Sequence, residues 1–358
     1  MGFVIAFVVT VLIVPQVRAF CLARGYVDMP NSRKIHKEPI PRLGGVAIWL
    51  GTIISFFMIV LFTKYPYGNG LSGILIGGSI IFLMGLVDDI YDLPPKYKLF
   101  IQFGAALIAV LLGVRIDELW NPFGSVIHLG IFAIPITLIW IVGLSNAMNF
   151  IDGVDGLAGT VSAIGAVSLA VLAVSTVHPQ PIAALLAVIL AGAMIGFLMF
   201  NFNPAKIFMG DSGALFTGFT LASLSVVGLM KTVTFSVFLP IFIFAVPILD
   251  ITYAVLRRIL KGKNPFKADS EHIHHKLIHL GVSHNNTVFV FVVTAVSAGA
   301  IAAIFVHSQN LYFTVIALLL IFMAIVLRIS NFFSVLDASQ EHHYHEPEIH
   351  SFHDIDRD

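Results

Sequence analysis

Apolar runs about as long as a lipid bilayer is thick recur along the whole chain, and few folds can accommodate them. A helix rising 1.5 Å per residue needs about 17–25 residues to cross ~30 Å of hydrocarbon. Eleven runs approach that length, at approximately 2–21, 43–63, 71–87, 99–114, 129–147, 157–177, 181–200, 212–230, 233–255, 286–306 and 311–328, the fourth being short. With 58% hydrophobic and 11% charged residues, too few polar side chains remain to cover a soluble domain. The expectation is an all-α polytopic membrane protein without internal repeats, spanning 1–330, followed by a polar His-rich tail, 331–358. The stretch around Asn121-Pro122-Phe123-Gly124, flanked by short alternating runs, reads as a small extramembrane hairpin. Met1–Val14 lacks a basic flank and reads as a retained anchor helix. A single cysteine, Cys21, excludes an internal disulfide framework.

Lys and Arg are retained on the cytoplasmic side of a membrane, so their distribution tests the count of spans. With the N-terminus outside, 17 of the 20 fall on one side and only Lys64, Arg115 and Lys231 on the other. That makes the C-terminus cytoplasmic. The acids follow the same division, since only Asp117 and Glu118 fall outside. Five cytoplasmic segments then hold the chemistry: Pro30–Gly45, Asp88–Lys98, Asn146–Gly156, Asn201–Ser212 and Arg257–His284.

The most demanding of these is Asp88-Asp89, where a hydrophobic run ends in adjacent carboxylates. At the centre of a membrane helix each Asp costs roughly 2.5–3.5 kcal/mol, so the pair belongs at a helix end, at an interface or on a cation. Asp88 and Asp92, four residues apart, are expected on one helical face, within reach of magnesium, which accepts one or two carboxylates and completes its shell with water and phosphate. Solvation at the helix end is the plainer reading. Each other segment also has a plain reading. Arg42-Leu43-Gly44-Gly45 is either a headgroup anchor or a place where backbone N–H groups meet an anion. Asn149-Phe-Ile-Asp152-Gly-Val-Asp155-Gly is either a turn or a polar cluster between spans. Asp211 is either an N-cap or a ligand. Glu271-His272-Ile-His274-His275, after the basic run ending at Lys267, lacks the spacing of a zinc site and suits an anion better. Asp250 has Arg257 and Arg258 as candidate partners.

Acidic oxygen ligands and a basic cluster on one membrane face describe a site for a metal-bound phosphorylated substrate met at the lipid surface. A transporter would instead place its charges near the midplane and tend to show internal symmetry. The chain resembles the polyprenyl-phosphate N-acetylhexosamine-1-phosphate transferases. The residues that carry the likeness are Pro41-Arg42-Leu43-Gly44-Gly45, Asp88-Asp89, Asn149-Phe-Ile-Asp152-Gly-Val-Asp155-Gly, Phe208-Met-Gly-Asp211-Ser-Gly213 and His272-Ile-His274-His275, in order over residues 1–330.

The resemblance implies a bacterial plasma-membrane enzyme. It would move N-acetylglucosamine-1-phosphate from UDP-N-acetylglucosamine to undecaprenyl phosphate, releasing UMP, with Mg²⁺ or Mn²⁺. The His-Ile-His-His form is similar to the branch that starts teichoic acid or other surface glycans; the peptidoglycan branch has three consecutive histidines. The resemblance implies Asp211, Asp88 and Asp89 at the metal, with Asp152 and Asp155 also catalytic. It implies Asn149 and Phe208 at the nucleotide, and Arg42, Lys267, His272, His274 and His275 on phosphate or sugar. Nucleic acid is not among the expected partners; a second copy of the chain is. Because a phosphate monoester is mostly dianionic at neutral pH, the acceptor hardly needs a base, which favours direct in-line attack. Asp88 or Asp89 as base or covalent nucleophile stays the alternative.

Overall fold

The structure is a computed structural model, and it describes residues 1–29, 38–63, 70–120, 126–176, 178–230, 238–262 and 273–308. All of them fall in one compact unit, Met1–Gln309; a second unit, Asn310–Asp358, which includes the eleventh run and the tail, lies outside the described residues. Long helices dominate: α1 Gly2–Arg24, α2 Gly45–Thr63, α3 Leu71–Tyr91, α4 Pro95–Leu111, α5 Ala133–Phe150, α6 Leu157–Ser175, α7 Pro181–Asn201 and α8 Gly210–Ser225, which runs on as a π-turn, Val226–Met230. After them come α9 Phe238–Ile243, α10 Ala245–Leu260, α11 Ile273–His279 and α12 His284–Ser308. Two ribbons complete it, β1 Val27–Asp28 with β2 Ile40–Pro41, and β3 Glu118–Trp120 with β4 Val126–His128, both antiparallel. The second is the hairpin expected from the sequence, pairing Leu119 with Ile127.

Eight helices among the described residues are long and apolar enough to cross a membrane: α1, α2, α3, α5, α6, α7, α8 and α12. This is an all-α polytopic membrane architecture. The fourth run forms α4, of 17 residues. The ninth is broken at Phe244, between α9 and α10. Pro247 sits in the first turn of α10, where its missing N–H has no intrahelical acceptor to satisfy.

Close packing rests on small residues, as it must where lipid offers no hydrophobic drive for helices to associate. Gly192 and Gly196, spaced Gly-x-x-x-Gly on α7, let its backbone meet the carbonyls of Phe3 and Phe7 on α1. The centre of the bundle is α8, packed by α2, α3, α5, α6 and α7 and buried on nearly every side. Its N-terminus is approached from two directions. A Cβ on Gly45 of α2 would strike the backbone nitrogen of Gly213, and one on Gly85 of α3 would strike the backbone of Ser212. Glycine at both positions brings the ends of three helices together, and the acidic cluster lies there.

Candidate active site

Asp88 and Asp89 end α3 but do different things. Asp89 is buried and reaches across to α8, where its Oδ1 accepts the N–H of Asp211 (2.8 Å) and its Oδ2 accepts the N–H of Ser212 (3.1 Å) and the Ser212 hydroxyl (2.6 Å). Helix N-termini present unsatisfied N–H groups, which a carboxylate satisfies while also facing the positive end of the helix dipole. So α8 is capped, but from another helix and not by Asp211, which lies one residue inside it. The expectation that placed Asp89 among metal ligands meets a carboxylate with both oxygens already occupied by donors.

Asp88 closes the end of its own helix. Its carbonyl accepts the N–H of Asp92 (2.8 Å) and its Oδ1 that of Leu93 (2.7 Å). This turn puts Asp92 in the left-handed region, φ 51°, exposed and off the helical face that the spacing of Asp88 and Asp92 assigned to it. Asp tolerates that conformation better than most residues. The partner that approaches Asp88 instead is Lys98. Pro94-Pro95 start α4 straight after the turn, and α4 packs back along α3. The Lys98 ammonium then lies 2.5 Å from Asp88 Oδ2 and 3.0 Å from Asp211 Oδ2. Sequence reading treated Lys98 only as one of the retained cytoplasmic charges. The available signal was the Pro-Pro pair, which turns a residue three positions on toward the helix just left.

Asp211 has its other oxygen on Asn149, whose Nδ2 donates at 3.0 Å from the end of α5. One turn earlier on α5, Asn146 exchanges two hydrogen bonds with Gln102 of α4 (2.6 and 3.4 Å). Lys98 and Gln102 are four apart on α4, and Asn146 and Asn149 three apart on α5, so each pair shares a face. The amide pair ties together the two helices that deliver Lys98 and Asn149 to Asp211.

Asp155 resembles Asp89 in being spoken for. Its Oδ2 accepts from Asn203 Nδ2 (3.1 Å) and the N–H of Ala205 (3.0 Å), fastening the α5–α6 turn to the segment before α8. The neighbouring Gly156 N–H goes to Asn201 Oδ1 (3.1 Å), whose amide donates on to the carbonyl of Ile207 (2.9 Å). Asp152 differs. Its carboxylate is half-buried and has no hydrogen-bond partner among the described residues. Burial, and after it the negative charge of Asp211, Asp89 and Asp155, pushes its pKa well above the usual carboxylate range.

A cavity of about 870 Å³ opens over this floor. Asp152, Asp155, Asp89, Asp211 and Asn149 line it, together with Arg42 and Phe208 and with Arg18, Asp28, Glu38, Lys206 and His284. The Gly44 and Gly45 N–H groups, read as available to an anion, donate instead to the carbonyls of Phe208 (2.9 Å) and Met209 (2.8 Å). The Phe208 N–H returns to Pro41 (2.7 Å), which locks the two motifs together. Arg42 contributes a buried Nε with no hydrogen-bond partner among the described residues, a donor at the cavity wall. Lys267 and His272 lie outside the described residues, as do the side chains of His274 and His275 on α11. Asp250 is buried in α10 and accepts the N–H of Ile273 at the start of α11 (2.7 Å).

Among the described residues no group of three or more His, Cys, Asp or Glu side chains forms a closed cage for a metal. Magnesium does not require one, since it takes one or two carboxylates and leaves the rest to water and phosphate. Asp152 fits that donor set as an unpartnered carboxylate held among negative charges. Asp211 lines the same cavity, but its two oxygens already accept from Lys98 and Asn149, so it fits only where a cation replaces one of those side-chain donors.

The profile of glycosyl transferase family 4 matches residues 71–229, from the start of α3 to the end of α8. A probable undecaprenyl-phosphate N-acetylglucosaminyl 1-phosphate transferase of Bacillus subtilis is 38% identical over 92% of this chain and 91% of its own length. A decaprenyl-phosphate N-acetylglucosaminephosphotransferase of Mycobacterium tuberculosis is 30% identical over 85% of this chain and 82% of its own. An undecaprenyl-phosphate alpha-N-acetylglucosaminyl 1-phosphate transferase of Salmonella typhi is 27% identical over 86% and 83%. With near full-length likeness outside the matched core as well as within it, the chain belongs to glycosyl transferase family 4, among the polyprenyl-phosphate N-acetylhexosamine-1-phosphate transferases.

Proposed function

We propose that the protein transfers N-acetylglucosamine-1-phosphate from UDP-N-acetylglucosamine to undecaprenyl phosphate, giving undecaprenyl-diphosphate-N-acetylglucosamine and UMP, with Mg²⁺ or alternatively Mn²⁺. The reaction takes place at the cytoplasmic face of the bacterial plasma membrane and starts teichoic acid or another surface polysaccharide. The observation that carries the reading is the junction at the start of α8, where Asp211 lines the cavity and also pairs with Lys98, which pairs in turn with Asp88. The strong excess of Lys and Arg in the segments that converge there supports the cytoplasmic side.

The nucleotide sugar occupies the cavity, with the ring of Phe208 available for stacking and Arg42 Nε donating to a phosphate oxygen. Asp152 and, in exchange for one of its side-chain donors, Asp211 would hold the divalent ion, which when bound would supply charge neutralisation to the diphosphate. The lipid phosphate approaches from the α3–α4 side, where Leu99, Phe100 and Phe103 leave an apolar surface beside Lys98. Lys98, on Asp211, and Arg42, in the cavity lining, are the cations that counter the charge spreading over the transferring phosphoryl group. Already dianionic, the acceptor attacks phosphorus in line, and UMP leaves. On this reading Asp88 orients Lys98, Asp89 and Asp155 hold the floor in shape, and no covalent enzyme intermediate forms.

The test is incubation of the purified protein with Mg²⁺, undecaprenyl phosphate and labelled UDP-N-acetylglucosamine. Labelled lipid diphosphate is expected, abolished by a chelator. Its absence, or label transferred only from another UDP-sugar such as UDP-MurNAc-pentapeptide, overturns the assignment. Exchange of UMP into the sugar nucleotide without lipid would overturn the direct mechanism.

A further inference from the structure

We infer that His284, the first residue of α12, is a positioning residue for the nucleotide sugar, acting through the backbone of Asp155. The inference rests on the reading of the cavity as the donor site. The turn between α5 and α6 presents Asp152 to the cavity, and side chains from outside the turn hold it in place. The Gly156 N–H donates to Asn201 on α7, and the Asp155 N–H donates to His284 Nε2 at 3.2 Å, from an imidazole that itself lines the cavity. Two consecutive N–H groups of one short turn are therefore each bound by a side chain from a different helix.

This geometry assigns the tautomer. A ring nitrogen that accepts an N–H is unprotonated, so in the neutral imidazole the hydrogen is on Nδ1. Helix α12 otherwise packs chiefly on α6. Among the described residues, the bond from the Asp155 N–H to His284 ties α12 directly to the cavity floor. Without it, the Asp155 N–H loses its partner and the turn keeps only the anchors on Asn201, Asn203 and Ala205, so Asp152 is held less firmly. The sequence marked His284 only as the last residue of the Arg257–His284 segment, because its partner is a backbone group 129 positions away.

The two imidazole nitrogens can be replaced one at a time, since Gln places a polar atom near Nε2 and Asn places one near Nδ1. The full-length detergent-solubilised protein is assayed for kcat and for KM toward each substrate, with UMP and UDP-N-acetylglucosamine binding followed by calorimetry. His284→Ala is expected to raise KM for the sugar nucleotide and weaken UMP binding, each about ten-fold, from the loss of one backbone hydrogen bond. The KM for undecaprenyl phosphate stays within about two-fold, as loss of one donor-side interaction implies. His284→Gln restores both donor-side values and His284→Asn does not. Rescue by Asn but not Gln, an unchanged KM in all three variants, or a fall in kcat alone would overturn the inference. Calorimetric binding of nucleotide without any lipid product would instead defeat the proposed reaction, leaving the His284 comparison readable.

Discussion

Asp89 and Asp211 belong to one structural unit: the carboxylate of the first, at the end of α3, accepts the backbone N–H of the second, at the start of α8, across 2.8 Å. The acid that looks most like a ligand in sequence is thereby the cap that fixes the position of another acid. Removing either should inactivate the enzyme, but by different routes. Asp89→Ala is expected to destabilise the protein by about 1–3 kcal/mol, the cost of leaving buried donors unsatisfied, and to lower the melting temperature in detergent. Asp211→Asn should melt close to wild type without ligand and lose about 10²–10³ in kcat, the size of a lost electrostatic group. Equal melting temperatures for the two variants would contradict the division.

Lys98 bridges Asp88 and Asp211, and Asp88 is almost fully buried. Lys98→Met should therefore lose activity by at least about 100-fold and stability by about 1–3 kcal/mol, less than for a fully buried pair because Lys98 is 26% exposed. Combining it with Asp88→Asn removes the stranded charge. The double variant should recover most of the stability and none of the activity. Thermal melts alongside product assays check both halves, and a double variant as unstable as Lys98→Met would show that the lysine acts on stability through something other than Asp88.

Asp152 carries a pH signature. Its folded-state pKa is raised above the unfolded value of ~3.9, so the folded protein holds a proton that the unfolded chain releases between the two. Stability from this group is highest below the unfolded pKa and falls as pH rises through the folded one. Above both, the ionised carboxylate is a standing destabilisation. Asp152→Asn is accordingly expected to melt higher than wild type at alkaline pH, with the gain shrinking toward pH 4, while transferase activity is lost. Melting curves over a pH series test this, and an Asn variant less stable than wild type at every pH would count against it.

The Gln102–Asn146 pair makes a separate prediction, since neither side chain lines the cavity. Gln102→Leu should cost about 1–2 kcal/mol through the side-chain oxygen of Asn146 left without its donor, the amide keeping the Val142 carbonyl, and lower kcat several-fold, leaving KM for the sugar nucleotide unchanged. Gln102→Leu with Asn146→Leu, an apolar replacement of both partners, should recover stability. Double-mutant melting and steady-state kinetics supply the readout.

Much of this molecule is legible without coordinates, for a definite reason. Bilayer thickness imposes a length on every span, so composition and spacing alone yield a helical membrane protein. The motifs around Arg42, Asp88-Asp89, Asn149–Gly156 and Phe208–Gly213 do meet at one cavity. The expected break at Asn121–Gly124 does lie between paired strands. These are local features, readable from neighbours in the chain.

What the tertiary structure alone decided is which carboxylate is free. Asp88, Asp89, Asp152, Asp155 and Asp211 are chemically alike, and in sequence each can be a ligand, a cap or a turn residue. Folded, Asp89 is taken by the N-terminus of α8, Asp155 by the Asn203–Ala205 segment, Asp88 by its own turn and Lys98, and Asp152 by nothing among the described residues. The donors that make this difference are backbone N–H groups and a lysine from helices far along the chain. Their direction depends on how α3, α4 and α8 pack, which no spacing within one segment encodes. Helix formation and membrane insertion are set by short-range and compositional forces, so the sequence determines them. The pairing state of a buried carboxylate is set by whichever donors packing brings within 3 Å, so only the fold determines that.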